Sequence, residues 1–262
     1  MRAKIATFRA AKAGSTWKEY EDAAAIGPRR YEEIPGEFDG PWLAAAVADG
    51  ASEALLARQW ADELVAQFTE AETAEGLAEG ITAAAGRWDA VEANYRQLRD
   101  EQGEPIAWYE EDGLERGSYA TVVGVRLLPA TTGGAGPLRA WALGDACLFH
   151  VRADSLITAF PLDDPALFTI GPALAPSRPK NPAVIAKHVV PLSTTWQRGD
   201  ALHLASDALA CWYLTQAAEG ATPWRTVQSL DTDNDYDTWV QDLRVGKLLR
   251  NDDTTLLRID IQ

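Results

Sequence analysis

Apolar and polar positions along this chain follow two periodicities, arranged in blocks. The run "WLAAAVADG" is short, apolar and closed by a turn dipeptide, which predicts a buried strand. From Ser52 the spacing becomes helical, with Leu55, Leu56, Trp60, Leu64, Val65 and Phe68 on one face. A second helical run is expected from Leu77 to Leu98, carrying Ile81, Trp88, Val91 and Tyr95, so that two long helices pack as an antiparallel pair. The acidic stretch "DEQGEPIAWYEEDGLERG" then reads as a surface connection. Strand alternation returns in "SYATVVGVRLLPA", "LRAWALGDACLFHVR" and "SLITAF", which together predict an antiparallel meander.

Seven of the 14 prolines fall between Pro161 and Pro191, and this density predicts a long irregular flap over about 161–191. "ALHLAS" predicts a strand, followed by a helix from Asp207 to about Ala218. A last helix near Asp237 to Leu249 leads into the closing strand "TTLLRIDI". Because strands and helices come in blocks and do not alternate strictly, the pattern favours an α+β layered fold over a doubly wound parallel sheet. No repeat or linker divides residues 1–262, so one domain is expected.

Composition narrows the classes of partner. The chain is 47% hydrophobic with 10 tryptophans, enough for a sizeable core, and its net charge is −15. That charge argues against nucleic acid or an anionic membrane surface as principal partner, and leaves carboxylates to spare for cations. Cys147 and Cys211 make neither a zinc motif nor a disulfide framework, and they read as buried reduced thiols. The N-terminal stretch lacks the apolar core of a signal peptide, and the run "WLAAAVA" is far short of a membrane span. A cytoplasmic protein is expected.

Four aspartates share one local grammar: Asp49 ends "AAAVADG", Asp145 interrupts "ALGDACL", Asp207 ends "ALHLASD" and Asp252 opens "DDTTLLRI". Each lies at a strand end or tight turn flanked by apolar sequence. If those ends meet at one rim, carboxylates about 4 Å apart repel by about 4 kcal/mol per pair at an effective dielectric near 20. Protons or divalent cations must then neutralise them, and an all-oxygen donor set selects Mg²⁺ or Mn²⁺. Read one at a time, the same residues are an ordinary Asp-Gly turn, a helix cap at Asp207 and a solvated "NDD" loop.

Taken together and in order, these stretches resemble the metal-dependent protein phosphatase 2C (PPM) family of Ser/Thr phosphatases, in its bacterial branch. "EDAAA" resembles the family's N-terminal acidic pair, "VADGAS" its Asp-Gly motif and "GSYATVVGV" its central strand. "ALGDACLFHV" and "LASDALACW" resemble its Gly-Asp-Ser and Ser-Asp-Gly motifs, and "YDTWVQDLRVGKLLRNDDTTLLRI" its C-terminal block.

The resemblance implies a four-layer α-β-β-α sandwich with metals at one rim. It implies that Asp49 bridges two metals with the Gly50 carbonyl, that Asp207 and Asp252 hold one of them, and that Asp145 serves a third, weaker site. Glu21 and Asp22 would act through water, and Asp253 would sit behind the ligands. The implied activity is hydrolysis of phosphoserine or phosphothreonine on proteins by a metal-activated water, opposing a Ser/Thr kinase.

Three departures stand out. Ala51 replaces the His that follows Asp-Gly in many relatives, only Lys18 lies near where the family has a phosphate-binding Arg, and Ala208 replaces Gly. The first two keep open a pseudophosphatase that binds a phosphoprotein or kinase without turnover. Two further patterns compete. "GASEA" places Ser52 as in a nucleophile elbow, which would make a serine hydrolase with His188 or His203. "DTDNDYDTWVQD" mimics a calcium loop but has Tyr236 where Gly is needed, and reads better as a solvated run capping a helix.

Overall fold

The structure, a computed structural model, describes residues 1–28, 36–52, 54–70, 76–130, 134–168 and 171–262. In chain order the strands and helices are β1 (Arg2–Ala10), β2 (Ala23–Gly27), β3 (Gly36–Asp39), β4 (Leu43–Gly50), α1 (Ala57–Glu70), α2 (Leu77–Ala85), α3 (Trp88–Glu101) and α4 (Trp108–Arg116). They continue with β5 (Tyr119–Leu127), β6 (Ala135–Leu143), β7 (Cys147–Arg152), β8 (Ser155–Phe160), β9 (Ala175–Pro176) and α5 (Pro182–His188). The chain closes with β10 (Val190–Gln197), β11 (Ala201–Ala205), α6 (Asp207–Ala218), α7 (Pro223–Gln228), α8 (Asp233–Val245) and β12 (Thr254–Ile261).

The strands form two antiparallel sheets, ordered β3-β1-β12-β11-β7-β8 and β10-β6-β5-β4-β2, with β9 added against β5. Period-2 alternation divides each strand between two cores. Ile5, Leu257, Leu202 and Leu148 of the first sheet meet Val47, Val123, Val125 and Leu138 of the second in the central layer. On the outer face of the first sheet, Phe8, Phe149 and Leu256 pack under Trp212, Tyr213, Tyr236 and Val240 of α6 and α8. Phe149 and Tyr213 stack at 4.0 Å between ring centroids. On the outer face of the second sheet, Ala44, Ala46 and Ala48 lie under Trp60, Leu64 and Phe68 of α1. The small residues of β4 let that helix come close, and a Cβ on Gly124 would come within 2.5 Å of the Phe68 ring. This is the four-layer α+β sandwich expected from the sequence.

Several local expectations are corrected. The expected meander is split: β5 and β6 pair in one sheet, β7 and β8 in the other, and the chain changes sheets at Gly144-Asp145. Alternation alone carries no information about which sheet a strand joins. The helical run from Leu77 breaks at Gly86-Arg87 into α2 and α3. The acidic connection holds α4, which Glu110 caps by accepting from the Ala107 amide at 2.8 Å. The proline-dense segment is not wholly irregular. Pro182 opens α5, where a missing amide is tolerated, and the Asn181 side chain accepts from the Ala183 amide at 3.0 Å. Strands β1 and β10 are not expected from the sequence, since Arg2, Lys4 and Pro191 mask the alternation of their segments, and neither is the short helix α7.

Trp60 is fully buried, meets Trp88 edge-on at 5.5 Å and donates through its indole N–H to the Ala175 carbonyl at 2.8 Å. Trp60→Ala is expected to cost about 3–5 kcal/mol in urea unfolding, through the cavity and the orphaned carbonyl.

Candidate active site

Both central strands deliver carboxylates to the same end of the sandwich. β4 lies between β2 and β5 and terminates in Asp49-Gly50, while β12 lies between β1 and β11 and is preceded by Asp252-Asp253. The pairing Ala23↔Ala48 sets Asp22, just before β2, beside Asp49. The pairing Ala205↔Leu256 sets Asp207, at the start of α6, beside the mouth of β12. Asp145 arrives from the turn where the chain changes sheets. Gly50 packs where no side chain fits: a Cβ would come 2.9 Å from backbone atoms of Ala57 and Glu21.

The electrostatics show that these groups feel one another. Asp49 is held well above the usual carboxylate range, by burial first and then by Asp22, Asp207, Asp252 and Asp145. Asp22 is fully buried and pushed up to about 7, by burial before the charges of Asp253 and Asp207, while Thr255 and Ser206 hydroxyls oppose the shift. Burial and then Asp207 push Asp145 up to about 6. Burial and then Asp207 also raise Asp252. Glu21 is raised mainly by burial, against the Ser52 hydroxyl and Lys12.

Hydrogen bonds separate the members by task. Thr255 donates to Asp22 Oδ2 at 2.8 Å and is itself bonded to the Tyr20 hydroxyl, which fixes the Asp22 side chain. Ser206 accepts from the Thr255 amide at 2.9 Å and ties β11 to β12 just before Asp207. Asp253, whose charge is felt by Asp22, also holds the backbone in place. Its two oxygens accept from the Lys12 amide at 2.8 Å and the Glu21 amide at 2.7 Å, pinning the loop that carries the acidic pair. Among the described residues nothing donates to the Asp49 carboxylate, and Asp22 Oδ1 and Asp207 Oδ1 are buried without a partner.

Those orphan oxygens and the all-oxygen donor set fit a hard divalent cation. Among the described residues no three acidic, His or Cys side chains already meet around one point. Cations of the chain stand among the carboxylates: Arg250 donates to Asp207 Oδ2 at 2.7 Å, and Lys12 lies 3.8 Å from Glu21.

Sequence reasoning missed Arg250, Lys12, Ser206 and Thr255. Nothing in "LLRNDD" shows that an arginine two residues before Asp252 turns toward Asp207. Lys18, chosen from its place near the acidic pair, is exposed in a 3-10 turn at Trp17–Glu19 and has no ion pair among the described residues.

The competing patterns fare differently. His203 is buried in β11, bonded to Tyr213 at 3.1 Å and pushed down to about 3 by burial, and His188 ends α5, so neither is bonded to Ser52. Asp233 and Asp235 lie in the first turn of α8, where the Thr232 hydroxyl donates to Asp235 at 2.7 Å; this is a helix cap, not a calcium loop. The flap lies beside the rim: β9 pairs with Tyr119 and Ala120, and Ala120 pairs in turn with Gly50. A hollow of about 300 Å³ opens there, lined by Ala51, Leu55, Arg116, Tyr119 and Leu174.

Comparison with known proteins agrees with this fold. Solved structures with this fold include the catalytic domain of the serine/threonine phosphatase PstP in complex with 2 manganese ions, at 14% identity and TM-score 0.56 over 99% of this chain and 98% of that one. The Mycobacterium tuberculosis phosphatase PstP/Ppp matches at 16% identity and TM-score 0.54 over 100% of both chains. The photosystem II phosphatase PBCP matches at 13% identity and TM-score 0.54 over 99% of both. No family model and no curated protein matches the sequence. The chain has the fold of the PPM Ser/Thr phosphatases. Also, no helix among the described residues is long and apolar enough to cross a membrane.

Two measurements test the site as a physical object. Asp253→Ala removes acceptors from two amides and is expected to cost about 2–5 kcal/mol in urea unfolding; Asp253→Asn, which keeps one acceptor, should cost less. The second is pH dependence in EDTA. A carboxyl whose pKa is higher folded than unfolded binds extra protons in the folded state between the two values. The stability from Asp22 is therefore greatest below its ordinary 3.8 and is lost as pH rises through about 7. The Tm of the chelated protein is expected to fall between about pH 5 and about pH 8, less steeply in Asp22→Asn. A Tm that rises over that interval contradicts the burial of these acids.

Proposed function

We propose that this chain, read as one catalytic domain, is a metal-dependent protein phosphatase acting on phosphoserine and phosphothreonine. The observation that carries the reading is the gathering of Asp22, Asp49, Asp145, Asp207 and Asp252 at the sheet ends of a PPM fold, where burial and neighbouring charges raise Asp22, Asp49, Asp145 and Asp252. Asp49, with the Gly50 carbonyl, Asp207 and Asp252 would hold two Mg²⁺ or Mn²⁺ ions, and Asp145 a third, weaker one. Bound there, the ions supply an activated water and offset charge on the phosphoryl oxygens. Glu21 and Asp22 orient water behind the ligands, and Asp253 holds their loop in place.

Substrate contact falls to the surfaces beside Asp49. The hollow lined by Ala51, Arg116 and Leu174 suits the residues flanking a phosphorylated side chain, and the neighbouring flap shapes that choice. Ala51 offers no proton to the leaving oxygen, so solvent must supply it. Its partners are then a phosphoprotein and the Ser/Thr kinase that modifies it.

A second reading is favoured by the Arg250–Asp207 pair and by Lys18 lying apart: a pseudophosphatase that binds the phosphoprotein or kinase without turnover. Phosphopeptide hydrolysis separates the two. The phosphatase is expected to turn over with Mn²⁺, to stop in EDTA, and to lose about 10²–10³-fold in kcat in Asp49→Asn. Folded protein that binds Mn²⁺ and hydrolyses nothing identifies the binding module. Metal-independent ester hydrolysis abolished by Ser52→Ala identifies the serine hydrolase.

A further inference from the structure

Lys12 and Arg250 are not equivalent at the rim. Lys12 stands at the edge, 3.8 Å from Glu21. Arg250 reaches into the cluster: its guanidinium donates to Asp207 Oδ2 at 2.7 Å, and its charge is felt by Asp252 and Asp145. The pair is open on one side, with 52% of the Arg250 side chain exposed against 16% of Asp207. An ion pair so placed is weak and exchanges readily. A doubly charged ion competes well for the same carboxylate, whose other oxygen, Oδ1, is buried and unpartnered.

Arg244, a second guanidinium near Asp252, is committed elsewhere. Arg244 donates to the Ala11 carbonyl at 2.8 Å and also to the Asp252 carbonyl. Of these two, Arg250 is the exchangeable guanidinium and the one paired with a rim carboxylate, and its planar fork of donors matches two oxygens of a phosphoryl group better than a lysine does.

We propose that Arg250 is an exchangeable counter-charge of this rim. It occupies Asp207 in competition with one divalent cation, and once displaced its guanidinium binds the phosphoryl group of the substrate. The inference rests on the metal-dependent reading above and assigns the phosphate clamp that the residues near Lys18 do not provide. It also predicts effects of opposite sign from one substitution, which a merely structural residue does not give.

The test is calorimetry on the full chain, wild type and Arg250→Gln, first with MnCl₂ and then with inorganic phosphate in saturating Mn²⁺. Arg250→Gln is expected to bind the more weakly held Mn²⁺ about fivefold more tightly and phosphate about tenfold more weakly. Equal Mn²⁺ affinity in the two proteins overturns the inference, and so does equal phosphate affinity. Loss of both affinities marks a structural role and overturns it too. Mn²⁺ bound by the variant alone supports the exchange in its strongest form. No Mn²⁺ binding by either protein removes the metal-dependent reading and this inference with it. Should Arg250→Gln fail to fold, Arg250→Lys keeps the charge and loses the fork. It is then expected to weaken phosphate while leaving Mn²⁺ unchanged, and unweakened phosphate overturns the inference.

Discussion

The constraint on which this molecule depends is repulsion among carboxylates that the backbone holds together. A charged pair about 4 Å apart at an effective dielectric near 20 opposes folding by about 4 kcal/mol, a large share of what holds a domain. The scaffold withstands this because the acids are attached to its stiffest parts. β4 and β12 are each flanked by strands on both sides, and both sheets are covered by helices on their outer faces. Residues on exposed loops would swing apart; residues at the ends of central strands do not. Charge is then balanced by protons on Asp22, Asp49 and Asp145, by Arg250 on Asp207, or by ions of higher charge.

Register makes the convergence unique. In antiparallel sheets a one-residue slip turns every side chain to the opposite face. Along β12, Leu257 and Ile259 enter the central core while Leu256 meets the outer helices, so a slip would expose apolar surface on both sides. The same pairing that buries these leucines fixes where Asp252 emerges. Core packing and site geometry are thus one constraint.

That coupling explains how much could be read from the chain. Asp49, Asp207 and Asp252 were legible because each follows or precedes an apolar strand whose end is marked by local sequence. Layer architecture was legible from the block order of periodicities. The split at Gly144-Asp145 was not, since β6 and β7 show the same alternation whichever sheet they join. Arg250 was not legible because side-chain direction in a loop depends on what lies across space, and Asp207 is 43 residues away in sequence. Lys18 was favoured by sequence proximity, which carries no information about direction.

Asp252 and Asp253 show why neighbours of identical type divide the labour. Successive residues entering a strand point to opposite sides. Asp252, half-buried, is raised after burial by Asp207 and so faces the cluster. Asp253 is buried where two backbone amides solvate it in place of water, and its charge still reaches Asp22. A carboxylate accepting two amide hydrogen bonds is stable when buried, and its anchoring of residues 12 and 21 brings Glu21 and Asp22 to the rim. Both aspartates therefore contribute charge to the site, and Asp253 also uses its charge to position more charge. Asp253 still repels Asp252, and the two amides that hold Asp253 offset that cost. The tension they leave falls on Asp207 and Asp49, where the chain has one guanidinium and no donor, respectively, among the described residues.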